Sequence, residues 1–288
     1  MKTFEYLSDP LMSSLFWPGV LAGIAIAILS AGLSVFVVVK RLSFIGQGIS
    51  HAAFGGVGLA AILGLTATAM TPAPMHGIPQ FLIVTGFCLA AGLAVGLIAD
   101  KETAREDAAI GIILVASMAI GAVLLHKAKT GLEWESFLFG TLYNVPTMDA
   151  IVAWVLAGVV MLTLWLTRRS LVFWAFDEQA SPAFGVSPHA MKLVLLTLLA
   201  ISTVAAMKLA GVVLATAILV LPGAIALQLS RKFVPVFVLS FVAAIAGIVF
   251  GIVASFEFDT SPGPAIVVVL TLMFLGAKGV KVVRGREA

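Results

Sequence analysis

The chain has 288 residues, of which 61% are hydrophobic and 11% are charged, and its formal net charge is +3. With a mean hydropathy of +1.15 and recurring apolar runs of about 20 residues, it is expected to be an all-α, polytopic membrane protein and not a soluble domain. The basic residues flank the apolar runs, which argues against nucleic-acid binding, and the single cysteine excludes a disulfide framework.

The apolar runs predict about nine transmembrane helices, and the short gaps at 207–209 and 230–233 allow eight or ten. One pair of runs joined by such a gap could be a broken helix or a re-entrant hairpin. No polar stretch is long enough to fold alone, so residues 1–288 are expected to form a single transmembrane domain. The first run, Trp17–Val39, lacks a basic leader and is expected to be a retained helix. The predicted runs are 17–39, 44–65, 80–99, 108–126, 148–167, 190–207, 209–230, 233–255 and 262–277.

The distribution of Lys and Arg predicts which side of the membrane each loop faces. With the N-terminus outside and nine spans, thirteen of the 17 basic residues lie on the inner side, as cytoplasmic loops require. The C-terminus is then cytoplasmic. The acidic residues divide evenly between the two sides, so the outer face is net negative and favours cations modestly.

The second run contains a histidine, His51, at a depth where ionisable side chains are costly and usually line a pathway. Gln47 lies four residues earlier and therefore on the same helix face, which Gly55 and Gly58 extend without side-chain bulk. This face is expected to offer two polar groups with open space above them. Imidazole nitrogen is a good ligand for divalent transition metals, and an amide oxygen is a weaker one. The competing interpretation is a structural histidine hydrogen-bonded to Gln47 or to a backbone carbonyl.

Three further residues lie near the predicted outer end of the fourth run. His126, Glu133 and Glu135 could form an entry site for a cation at the outer mouth of a pathway. The competing interpretation is a solvated loop, which is the commoner role for such a group of charges.

The longest inner segment, at about 170–189, contains a predicted short helix from Asp177 to Gly185. Acidic residues at its start and glycine at its end are typical helix boundaries, whereas Pro182 shortens or breaks it. Ala180 and Ala183 would allow a soluble partner to approach closely, and Phe184 could anchor it. An exposed loop with no partner is the alternative. The residues expected to contact such a partner are Asp177, Glu178, Ala180, Ala183, Phe184 and Gly185.

Two motifs of energy-using transporters are missing from the sequence. There is no phosphate-binding loop of the Gly-x-x-x-x-Gly-Lys-Ser/Thr type, so the chain is not expected to hydrolyse nucleotide and is not expected to be an enzyme. No Asp or Glu lies in the middle of a predicted span, although ion-coupled carriers normally need such groups. Energy must therefore come from another subunit, or the pathway is passive.

Several motifs resemble those of the integral-membrane permeases of ABC-type zinc, manganese and iron importers, and most closely the zinc-uptake permeases. The resemblance runs nearly end to end. It differs in one respect: the family usually has Asp four residues before the histidine of the second helix, where this chain has Gln47. The matching stretches are Lys40–Gly46 with Ser50-His51-Ala52, Phe137–Gly140 with Asp149, Phe176–Ala180 with Gly185, Ala206–Val212, Leu221–Ala224 and Asp259–Pro264.

The resemblance implies the fold of a type II ABC importer permease and a bacterial inner-membrane location. It further implies two permease copies, two separate ATPase subunits docked on the short inner helix, and an extracytoplasmic metal-binding protein. Zn²⁺ is the expected cargo, ahead of Mn²⁺ or Fe²⁺, with membrane lipid as the surrounding medium and no permanently bound cofactor. The alternative is an ATP-independent cation channel or carrier. A membrane-embedded enzyme fits poorly, because no nucleophile or acid/base set converges in the sequence.

Overall fold

The computed structural model describes residues 10–65, 78–98, 103–128, 139–140 and 145–286, and within these ranges the regular structure is entirely helical. The prediction of an all-α polytopic fold is confirmed. The α-helices, numbered in chain order, are α1 Pro10–Val39, α2 Ser43–Ile62, α3 Ile78–Ile98, α4 Thr103–Ala128, α5 Thr147–Phe176, α6 Pro188–Ile218, α7 Leu221–Leu229, α8 Phe233–Glu257 and α9 Pro262–Arg286.

The helices form two packed groups that α6 joins. In the first group α2, α3 and α4 pack on one another. In the second, α1 packs against α5, α7 and α8, and α9 packs against α7 and α8. Helix α6 contacts members of both groups and is buried along most of its length. Although α1 and α2 are consecutive in the chain, they hardly touch.

Eight stretches in the described part of the chain are long and apolar enough to cross a membrane. The stretch 188–229 is one of them and has 42 residues. A straight helix of that length would measure ~63 Å, twice the ~30 Å of a bilayer core. The stretch is instead interrupted at Gly211, whose φ of 79° and ψ of 166° are not helical, and again between α6 and α7. A left-handed φ of this kind favours glycine.

Contacts in the middle of this stretch and just after its end show that it crosses the molecule and returns. The ammonium of Lys208 lies 2.7 Å from a carboxylate oxygen of Asp149, near the start of α5. Phe233, just after α7, meets Phe176 at the end of α5, with ring centroids 6.3 Å apart. The two pieces therefore run in opposite directions, as the predicted separate runs 190–207 and 209–230 require, and the interruption at Gly211 lies just after the predicted gap at 207–209.

The end that carries Phe176 and Phe233 is called the inner end below, after the charge bias, and the end that carries Asp149 and Lys208 is called the outer end. Helix α5 continues to Phe176 and not to about residue 167 as predicted. Hydropathy detects the apolar core of a span, and Arg168 and Arg169 interrupt that core without ending the helix.

Ser34 of α1 holds the start of α7 in place. Its hydroxyl donates to the carbonyl of Val220 at 3.2 Å and accepts from the amide of Gly223 at 2.7 Å. The first amides of a helix have no partner within that helix, so Ser34 caps α7 from another helix. A side chain at residue 223 would meet the Ser34 hydroxyl at 2.8 Å, which explains why glycine is needed there.

Candidate functional site

The polar face of α2 lies on the part of that helix which the chain leaves uncovered. Most residues of α2 are buried, whereas Phe44 and Gln47 are exposed and His51 is half-buried. Helical spacing places these three side chains in one stripe. Within the described residues no hydrogen bond joins His51 to Gln47 or to another group. The interpretation of His51 as a hydrogen-bonded structural histidine thus has no partner among the described residues.

The open space expected above this stripe is absent, and that expectation was wrong. A side chain added at Gly55 would lie 2.6 Å from the ring of Phe87, and one at Gly58 would lie 2.8 Å from the carbonyl of Gly121. The two glycines let α2 pack closely against α3 and α4, the usual role of small residues between membrane helices. The polar stripe therefore ends at His51.

The described residues of one copy offer few metal ligands close together. No group of three or more His, Cys, Asp or Glu side chains that could hold a metal ion occurs among the described residues. His126 lies in the last turn of α4 with an exposed side chain. Glu133 and Glu135 lie outside the described residues, so the proposed outer-mouth site stays a prediction. Gln47 and His51 need further ligands from elsewhere, because transition-metal sites normally have four or more.

The inner segment Asp177–Gly185, called the coupling segment below, has a defined local structure. A carboxylate oxygen of Asp177 accepts from the amide of Ala180 at 2.9 Å, and the hydroxyl of Ser181 donates to the carbonyl of Glu178 at 3.0 Å. A 3₁₀ helix follows over Ser181–Phe184. Gly185 ends it with a φ of 75°, in the left-handed region that favours glycine.

The coupling segment projects small and aromatic side chains from the inner end. Pro182 stands in the first turn of the 3₁₀ helix, where its missing amide costs nothing, so the segment is short rather than broken. Ala183 is exposed and Ala180 is half-buried. Phe184 is 73% exposed and touches the edge of Phe173, at a ring separation of 5.0 Å. Ala183 and Phe184 of the predicted surface are therefore exposed, whereas Ala180 is only partly exposed.

Sequence reasoning did not single out Lys40 as a partner of this segment. Its ammonium lies 2.7 Å from a carboxylate oxygen of Glu178. The two residues are 138 positions apart, so no local pattern points to the pair.

At the outer end, three of the singled-out motifs meet around the interruption of α6. A side chain at Gly140 would overlap the backbone of Ala210 and Gly211, and one at Gly263 would lie 2.7 Å from the carbonyl of Phe139. Motifs that are far apart in the chain thus form one tightly packed structure beside the Lys208–Asp149 ion pair.

Comparisons with known proteins give a consistent picture. A family model described as the ABC 3 transport family matches residues 12–281. The manganese transport system membrane protein MntB of Synechocystis sp. is 30% identical, over 94% of this chain and 85% of that protein. The chelated iron transport system membrane protein YfeD of Yersinia pestis is 29% identical, over 95% of this chain and 88% of that protein. A chain in the solved structure of PsaBC from Streptococcus pneumoniae in complex with Fab has the same fold, with a TM-score of 0.83 and 24% identity. The match covers 96% of this chain and 95% of that one.

Proposed function

The chain belongs to the ABC 3 transport family, and from that premise we propose its cargo, its assembly and the residues that line its route. It is a multi-pass protein of the bacterial inner membrane and the permease component of an ABC-type metal importer. The cargo we propose is a divalent transition metal, with Zn²⁺ ahead of Mn²⁺ or Fe²⁺.

The proposed order of metals follows from the chemistry of the α2 stripe. Imidazole nitrogen suits zinc and iron, whereas manganese prefers carboxylate and carbonyl oxygen. The stripe offers His51 and the neutral amide of Gln47, with no carboxylate between them. The relatives named for manganese and chelated iron support the class of cargo, and the resemblance to zinc permeases supports zinc.

The observation that carries the proposed route is the position of Gln47 and His51 on the uncovered side of an otherwise buried helix. Polar groups facing lipid are costly, so a second copy of the chain is the natural cover for this stripe. Two copies related by a two-fold axis would bring two imidazoles and two amides to a shared pathway. That number of ligands matches the coordination of zinc in proteins.

Energy is proposed to come from two separate ATPase subunits that dock on the coupling segment. The exposed residues Pro182, Ala183 and Phe184 form a compact projection that a groove on a soluble partner can receive. At the outer face, an extracytoplasmic metal-binding protein is proposed to deliver the cargo. His126, Glu133 and Glu135 are proposed to help receive it there.

The test is metal uptake by the permease reconstituted in proteoliposomes with its ATPase and binding protein. We expect ATP-dependent uptake of radioactive Zn²⁺, and we expect His51→Ala to lower it by at least about tenfold, since one lost ligand is worth more than ~1.4 kcal/mol. His189→Ala is the matched control, because that histidine is exposed at the inner start of α6. Uptake that needs no ATP would favour the channel or carrier, and full uptake by an assembled His51→Ala variant would remove His51 from the route.

A further inference from the structure

Lys40, at the C-terminal end of α1, joins that helix to the coupling segment. Its ammonium lies 2.7 Å from a carboxylate oxygen of Glu178 and 4.1 Å above the centre of the Trp174 ring. The Lys40 side chain is 13% exposed, although that of Glu178 is 54% exposed. A nearly buried cation held by both a carboxylate and an aromatic face has little freedom to move independently.

The turn that follows Lys40 leads directly into α2 and is fully hydrogen-bonded. The amide of Arg41 donates to Val38 at 3.2 Å and that of Leu42 to Val37 at 2.8 Å. Arg41 has a φ of 57°, so the turn is a Schellman motif with arginine in the usual glycine position. The amide of Gly46 then donates to the carbonyl of Leu42 at 3.1 Å. The hydrogen bonds of this turn therefore connect Lys40 to the start of α2.

This turn lies on the boundary between the two helix groups. α1 and α5 belong to one group and α2 to the other, and α1 hardly touches α2 along its length. Gln47 and His51 follow the first residue of α2, Ser43, by four and eight positions, or by about 6 and 12 Å along the helix. The non-covalent contacts of Lys40 with Glu178 and Trp174 therefore connect the coupling segment to the turn that begins α2, close to the polar stripe.

We propose that Lys40 is a positioning residue that transmits movement of the coupling segment to α2, and thereby sets the position of Gln47 and His51 during each ATP cycle. This role rests on the proposed function, since it requires an ATPase docked on the coupling segment. Lys40 itself touches neither the cargo nor the ATPase.

The experiment compares metal transported per ATP hydrolysed in the reconstituted assembly of permease, ATPase and binding protein. In Lys40→Met, which keeps the apolar stem and removes the charge, we expect this ratio to fall at least about fivefold, the lower end of measured coupling between sites. Glu178→Gln is expected to lower it similarly. Lys40→Arg keeps the positive charge, and a guanidinium also pairs with carboxylates and stacks on aromatic rings, so it is expected to retain more of the wild-type ratio than Lys40→Met.

Lys281→Met is the matched control. Lys281 is also at the inner end, and it donates to the amide oxygen of Gln228 at 3.1 Å, away from the coupling segment. We expect it to leave the ratio unchanged. If Lys40→Met fails to assemble, Glu178→Gln still tests the pair, since its side chain is exposed enough to be changed without opening the core. Because Glu178 also lies on the proposed docking segment, the lower ratio counts for the pair only if the variant co-purifies with the ATPase at wild-type yield, and an unchanged ratio overturns the role of Lys40.

The outcomes distinguish a failure of the proposed function from a failure of the proposed role of Lys40. A wild-type assembly without ATP-dependent uptake would overturn the proposed function. A wild-type assembly that transports, with Lys40→Met and Glu178→Gln at the same metal-to-ATP ratio, would overturn the role of Lys40 alone. If Lys40→Met has a lower yield or thermal stability but an unchanged ratio of metal transported to ATP hydrolysed, Lys40 has a structural role only. That result would also overturn the proposal.

Discussion

Gln47 gives the polar stripe a neutral amide and not a carboxylate, and this is the main chemical feature of the stripe. A carboxylate is a harder ligand than an amide and carries a charge that attracts cations. With Gln47 exposed and His51 half-buried in the same stripe, a residue at position 47 can reach an ion that His51 binds. On the proposed route, this pair would help to select the metal.

We expect Gln47→Asp to shift cargo preference towards manganese. In competition uptake assays the preference for Mn²⁺ over Zn²⁺ should rise by about tenfold, which corresponds to ~1.4 kcal/mol of added differential binding. Gln47→Asn, which keeps the amide, is the control and should leave the preference near that of the wild type. An unchanged preference in Gln47→Asp would mean that position 47 does not contact the metal.

At the level of elements, the short helix α7 depends on a serine from α1. Ser34 is fully buried, and its hydroxyl accepts a hydrogen bond from the amide of Gly223 and donates one to the carbonyl of Val220. Ser240 of α8 is equally buried but makes one bond, donating to the carbonyl of Ala31 at 2.8 Å. The two serines thus form a matched pair with different numbers of hydrogen bonds.

We expect Ser34→Ala to lower the free energy of unfolding by ~1–3 kcal/mol, because it leaves the Gly223 amide unpaired in an apolar interior. Ser240→Ala should cost ~0.5–1.5 kcal/mol, since the carbonyl that it frees keeps its helical hydrogen bond. The measurement is reversible unfolding of the purified protein in mixed micelles. Equal losses, or a greater loss in Ser240→Ala, would show that Ser34 does not cap α7.

At the level of the whole molecule, two helix groups share α6, and the charged residues of the described chain gather at opposite ends. Arg231 lies at the inner end and is exposed, whereas Thr260 lies at the outer end and is exposed. The contacts determine which residues share an end. The excess of basic residues at the inner end predicts that this end faces the cytoplasm.

Cysteine labelling tests that orientation. In a Cys88→Ala background, Thr260→Cys should react with a membrane-impermeant maleimide in right-side-out vesicles, and Arg231→Cys should react only in inverted vesicles. The buried position of Cys88 keeps the background low in any case. The opposite pattern of labelling would reverse the predicted topology.

The sequence by itself determined the membrane class, the approximate spans, the polar stripe and the short coupling helix. These features depend on local quantities: hydropathy summed over about 20 residues, helical periodicity, and the turn preferences of proline and glycine. The end of α5 at Phe176 was missed for the same reason, since hydropathy reports the apolar core and not the end of a helix.

Only the tertiary structure decided what the glycines and serines do. Gly55 and Gly58 form part of the polar face on a helical wheel, yet α3 and α4 occupy the space beside them. The pairs Lys40–Glu178 and Ser34–Gly223 join residues 138 and 189 positions apart. Contacts at such separations depend on how whole helices pack. Close packing and buried hydrogen bonds stabilise the protein only when the two helix surfaces that form them are in contact.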